Sequence, residues 1–184
     1  MLEPKVTLRF VVNNPVGING AYGMRKAVKG GRGQQYLRKP AAQFKDAVGM
    51  HALVQRTQSD WPNNPWRAVH VRVSYQLYDS RLDADACRKL VRDALEGILY
   101  ANDRVVDDGP AARSIKDGGG RRVEIVVELL GLLSESEAQE MVRVENAMAV
   151  KRLQARDRKR GREIASAGST APSHDDAAGG SHTS

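Results

Sequence analysis

The stretch Val69-His70-Val71-Arg72-Val73-Ser74-Tyr75-Gln76-Leu77-Tyr78 alternates apolar and polar side chains without a break. A period of two sends one set of side chains to a core and the other toward water, so residues 66–78 read as a strand. Past Asp79-Ser80 the period changes. Leu90, Val91, Ala94, Leu95, Ile98 and Leu99 recur at the spacing of one helical face, which predicts an amphipathic helix from about Asp85 to Leu99. A half-buried strand running directly into an amphipathic helix is the nucleus of a sheet-and-helix fold.

Working outward, Val6, Leu8, Phe10 and Val12 alternate in a first strand, which Asn13-Asn14-Pro15 ends. Residues 13–36 are glycine-rich (Gly17, Gly20, Gly23, Gly30, Gly31, Gly33) and read as a long irregular segment without stable helix. Pro40 suits a helix first turn, and Ala41, Phe44, Val48, Ala52 and Leu53 give that helix an apolar stripe to about Arg56. Downstream, Arg104-Val105-Val106 is a short strand candidate, followed by turns at Asp107–Pro110 and Lys116–Gly120. Arg121 to Leu133 returns to strand. Ser134 and Glu137 have capping-box spacing and open a helix that continues to about Ala165 with a thin stripe of Met141, Val144, Met148 and Leu153. The expected fold class is α+β, a mixed sheet packed with helices. The expected organisation is a catalytic-sized domain at 1–133, a charged helix at 134–166 and a disordered Gly/Ser-rich tail at 167–184.

Composition narrows the function. The chain has 184 residues, 29 Lys+Arg against 22 Asp+Glu, and a net charge of +7. That surplus is N-terminal: residues 1–57 hold ten basic and two acidic residues, whereas 134–184 hold eight of each. A basic surface of this kind suits a polyanionic partner. No run approaches the ~18 apolar residues of a membrane span, and the N-terminus lacks the layout of a signal peptide. The single cysteine, Cys87, leaves no internal disulfide and no Cys-rich zinc site. A cytoplasmic protein without membrane partners is expected.

The chemistry-bearing candidates lie between the central strand and helix. Asp83 and Asp85 stand two apart at the junction, a spacing that turns both carboxylates the same way in extended backbone. Lys89 follows one turn later, and Asp103 lies beyond the helix, able to approach only if the next strand pairs beside the first. Three carboxylates suit a hard divalent cation such as Mg²⁺. The same residues also suit plain structural duty: Asp83 or Asp85 as a helix cap and Lys89 as a salt-bridge partner.

This segment resembles the RusA family of Holliday-junction resolvases, small dimeric endonucleases often encoded by phages. The family signature is Asp-x-Asp-Asn, a lysine six residues after the first Asp, an Asp four further on, and an acidic pair leading into a strand. Asp83-Ala84-Asp85, Lys89, Asp93-Ala94-Leu95 and Asn102-Asp103 follow it in order. Pro15-Val-Gly-Ile-Asn19-Gly-Ala-Tyr22 resembles the family's loop after strand one, and Lys116 to Val127 its final turn and strand, so the likeness spans about residues 5–130. Two positions depart: Ala86 stands at the motif Asn and Asn102 at the first acid of the pair. The resemblance implies phosphodiester hydrolysis in four-way DNA junctions during recombination and repair. By it, Asp83, Asp85 and Asp103 hold Mg²⁺, Lys89 assists, and a homodimer makes paired nicks. A shifted alignment substitutes Asp107 or Asp108 for Asp103.

The basic residues Arg25, Lys26, Lys29 and Arg32 of the N-terminal loop are candidate DNA phosphate contacts, as is Arg81 beside the carboxylates. Asn19 and Tyr22 fit either a junction-facing surface or ordinary packing. His51 is expected partly in the core, His70 exposed, and Cys87, Trp61 and Trp66 in packing roles.

Overall fold

The computed structural model describes residues 3–25, 34–114 and 120–167, with side chains described only to Arg158 in the last segment and not at Arg25 or Gln34. Lys26, Lys29, Arg32, Lys116 and residues 168–184 lie outside the described residues. The chain divides into two compact units, residues 1–141 and 142–184.

In the first unit, strand β1 (Val6–Asn13) precedes a single helical turn, α1 (Ile18–Ala21), and a hairpin of β2 (Tyr22–Arg25) and β3 (Gln34–Leu37). Helix α2 (Lys39–Thr57) leads to β4 (Ala68–Tyr78), α3 (Arg88–Leu95), β5 (Val106–Arg113) and β6 (Arg122–Leu132). The main sheet is four-stranded in the order β1-β6-β4-β5. β6 runs antiparallel to both β1 and β4, while β5 runs parallel to β4, so the sheet is mixed and the fold is α+β as expected.

Alternation decides the core. Leu8, Phe10 and Val12 of β1, Val71, Val73, Tyr75 and Leu77 of β4, and Val123, Ile125, Val127 and Leu129 of β6 are all buried. They form one cluster with Ala41, Phe44, Val48 and Ala52 of α2 and Leu90, Val91, Ala94 and Leu95 of α3. Trp61 is buried beneath, where its indole N–H donates to the Leu99 carbonyl at 2.9 Å. His51 is exposed rather than partly in the core, its ring parallel to that of Phe10 with centroids 6.3 Å apart.

Three elements differ from the sequence expectation. The loop 13–36 contains the α1 turn and the β2–β3 hairpin; at Gly23 an added Cβ would lie 2.5 Å from the Tyr36 ring, so a larger residue would push that ring aside. Helix α3 is shorter than Asp85–Leu99. It begins after a turn in which Ala86 N–H donates to Asp83 O and Arg88 N–H to Asp85 O, each at 3.0 Å. It ends at Leu95, Glu96 is already extended, and Gly97, with a left-handed φ of +79°, follows and closes a turn through its N–H onto Tyr100 O at 2.7 Å. Finally, Asp107–Pro110 is strand, not turn. β5 is an edge strand, so the missing N–H of Pro110 is tolerated, and Gly109 lies so close to Ser74 that a Cβ would meet its Oγ at 2.2 Å.

Helix α4 (Glu135–Ala167) starts with the expected capping box. Ser134 N–H donates to Glu137 Oε2 at 2.8 Å, and Glu137 N–H returns to Ser134 Oγ at 3.4 Å. Ala138 is buried, fixing the first turns within the first unit. No helix of the described residues is long and apolar enough to cross a membrane.

Gly97→Val forces a branched side chain into the left-handed region. It is expected to lower the unfolding free energy by about 1–2 kcal/mol, read as a Tm fall of about 2–8 °C in a calorimetric melt; an unchanged Tm would contradict the role given to this turn.

Candidate active site

The strand-to-helix junction opens onto a cavity of about 530 Å³ lined by Asn19, Arg81, Asp83, Asp85, Ala86 and Arg121, together with the 15–20 backbone. Asp83 and Asp85 both line this space, from a turn and not from the extended backbone that their spacing suggests. Neither acts as a helix cap: the N-cap of α3 is Cys87, with no side-chain cap bond. Lys89 is not their salt-bridge partner either, since its ammonium lies 3.2 Å from Asp93 Oδ1. That hydrogen bond and the charge of Asp93 raise the Lys89 pKa. Among the described residues the Asp83 and Asp85 carboxylates have no ion-pair partner.

The N-terminal loop is docked onto this junction. Ile18 N–H donates to Ala86 O at 2.9 Å, and Gly17 lies 3.0 Å, measured from an ideal Cβ, from Leu82. Asn19 is thereby carried to the same cavity as the two carboxylates.

What holds the loop there is a pair that the sequence reading missed. Asp79 is the one buried charged residue among those described, its side chain 1% exposed. It receives the Arg81 amide at 2.9 Å and the Arg121 guanidinium, and Arg121 also donates to Pro15 O at 3.1 Å. Burial pushes the Asp79 carboxyl upward, but the Arg81 amide and the Arg121 guanidinium outweigh it and hold the pKa below the ordinary value. The pattern contained a cue: Asp79 continues the inward phase of Val71, Val73, Tyr75 and Leu77, so a carboxylate sits where the strand points to the core.

The third carboxylate goes elsewhere. β5 pairs beside β4 as the approach of Asp103 requires, yet Asp103 lines a separate cavity of about 190 Å³ with Arg88, Lys89, Arg92 and Asp93. Arg92 lies 3.5 Å from the Asp103 carboxylate and donates to its carbonyl at 2.8 Å. The alternatives are engaged too. Asp108 pairs with Arg88 at 3.0 Å and Arg92 at 3.7 Å, and Asp107 with His70 at 2.5 Å. Among the described residues no group of three His, Cys, Asp or Glu side chains is arranged to hold a metal ion. The set Asp83, Asp85 and Asp103 is thus divided two and one, and Lys89 stands with Asp103.

Arg81 is exposed at the cavity rim, 3.7 Å from Asp79. The backbone of Arg25 ends β2, and the other loop bases are outside the described residues. Tyr22 is half-buried at the start of β2. Cys87 is fully buried, and burial pushes its thiol up to about 11, so it packs and does not react.

The chain is thus an α+β domain whose strand-to-helix junction presents two carboxylate residues to one cavity. A family model described as Endodeoxyribonuclease RusA matches residues 19–128, and the chain belongs to that family. No curated relative matches. Among solved structures, the chain is similar to CetZ from Methanosaeta thermophila strain DSM 6194 at 13% identity and a TM-score of 0.27, over 66% of this chain and 34% of that one.

Because Asp79 has a lowered pKa in the folded state, its contribution is full above the unfolded carboxyl value of about 4 and is lost as pH falls through the lower folded value. Asp79→Asn removes that dependence. Thermal melts between pH 7 and pH 2 should show a wild-type advantage at neutral pH that closes on acidification; parallel acid limbs would refute the assignment.

Proposed function

We propose that this member of the RusA endodeoxyribonuclease family is a Mg²⁺-dependent enzyme that resolves four-way DNA junctions by paired nicking in recombination and repair, acting as a homodimer. The observation that carries the reading is the cavity shared by Asp83 and Asp85, two carboxylates free of ion-pair partners among the described residues, inside the family-matched segment. Their donor set fits Mg²⁺, which is commonly held by one or two carboxylates together with substrate phosphate and water. When bound, the cation supplies Lewis acidity at a phosphate oxygen and makes a water molecule more acidic.

The chain's own residues do the rest. Asp83 and Asp85 concentrate negative charge at one wall of the cavity and so define where the cation and the scissile phosphate meet. Asn19, which lines the same cavity, offers a neutral amide suited to orienting a phosphate oxygen without adding charge. Arg81, exposed at the rim, meets a flanking phosphate. Lys89, kept charged by Asp93, is placed one cavity away, beside Asp103, where it suits the next phosphate along the strand. Arg25, Lys26, Lys29 and Arg32 are further candidate phosphate contacts by their charge. A twofold dimer presents two such sites to a junction of matching symmetry.

Asp83→Asn should cut Mg²⁺-dependent nicking of a synthetic four-way junction by about 100-fold or more while junction binding persists; nicking at the wild-type rate would sink the assignment. Lys26, Lys29 and Arg32 changed together to Glu should make the log–log salt dependence of junction binding shallower by up to about 3, and an unchanged slope would remove the loop from the interface. One observation favours a second reading, a DNA-binding accessory protein with weakened catalysis: Asp103, Asp107 and Asp108 are each held by a basic partner. Tight junction binding by the wild type with no nicking in Mg²⁺ would select it.

A further inference from the structure

Helix α4 lies wholly outside the family-matched residues 19–128, and its charge is divided along its length. Glu135, Glu137, Glu140 and Glu145 stand in its first third, whereas Lys151, Arg152, Arg156 and Arg158 follow Met148. Met141, Val144 and Met148 form a stripe at helical spacing, each between 41% and 46% exposed. Among the described residues these three side chains are all exposed.

The charges are ordered about the middle of the stripe. Glu145 and Arg152 are seven residues apart, two turns of helix, and their side chains meet along one flank at 3.6 Å. Glu140 and Arg158 are eighteen residues apart, which is five turns, and so also share one line along the helix. Both pairs bracket Met148 and Ala149. A twofold axis perpendicular to a helix reverses its direction but keeps each flank on its own side. Applied here, it sets every glutamate of these pairs opposite the arginine of the copy.

We propose that α4 pairs antiparallel with α4 of a second copy of this chain, with the twofold axis at Met148–Ala149. Glu145 then faces the copy's Arg152, while Glu140 and Met141 fall within one residue of its Arg158 and Ala155, and the two Met148 side chains meet beside the axis. A parallel pair would put Glu140 beside Glu140 and Arg158 beside Arg158, which like-charge repulsion opposes. DNA as the occupant would suit the basic half and be repelled by the acidic one. The pairing uses no residue of the cavity, so its failure would leave the reading of Asp83 and Asp85 untouched.

Cysteine cross-linking in the full-length chain tests it. Neither Met141→Cys nor Ala155→Cys should cross-link alone under mild oxidation, whereas a mixture of the two should give a disulfide-linked dimer. Sedimentation of the uncross-linked protein should show E140R/E145R weakening assembly at least tenfold, and the added changes R152E/R158E restoring it. Cross-linking by Met141→Cys alone, a failure of the mixture to cross-link, or assembly indifferent to the charge swap would each overturn the proposal. So would loss of junction affinity in R152E/R158E with assembly unchanged, which would assign the basic half to DNA.

Discussion

The contact between Asp79, Arg121 and the Pro15 carbonyl fixes the geometry of the whole cavity. It joins the end of β4, the start of β6 and the first turn of the N-terminal loop at one buried carboxylate. A buried charge is tolerated only when its lone pairs are met, and here an amide and a guanidinium meet them. The loop consequently cannot drift from the sheet without exposing a desolvated charge. Since the same loop bonds to Ala86 through Ile18, the position of the Asp83–Asp85 turn is set by a contact several residues away from either aspartate.

Much of this was legible before any coordinates. Period-two alternation located β1, β4 and β6 to within a residue or two, because burial on one face leaves no freedom of register. Asp83 and Asp85 line one cavity, but from a turn and not through the extended alternation that their spacing suggested. Less legible was what depends on contacts distant in sequence. β5 hid behind Asp107-Asp108-Gly109-Pro110, a sequence with every mark of a turn, because an edge position removes the usual objection to proline in a strand. The length of α3 was overread because Ile98 and Leu99 are buried and keep the helical phase, although the backbone has already turned at Gly97.

The destination of Asp103 was the least predictable outcome. Sequence proximity to the family's acidic pair said nothing of Arg88 and Arg92, which project from successive turns of α3 toward the same side. Together they bind Asp103 and Asp108 in a lattice of alternating charge. Arg88 also lies over the Tyr75 ring, 5.7 Å from its centroid, so the lattice rests on the core sheet. The two cavities therefore differ in character: among the described residues one has carboxylates without ion-pair partners, the other has cations already matched by carboxylates.

Pro110 has one more effect. An outer strand with free N–H and C=O groups invites another strand to add to it, and proteins guard such margins with proline and charge. β5 carries both, in Pro110 and in Asp107 and Asp108. Its margin is thus a poor template for sheet extension, and copies of this chain are kept from joining their sheets through that strand.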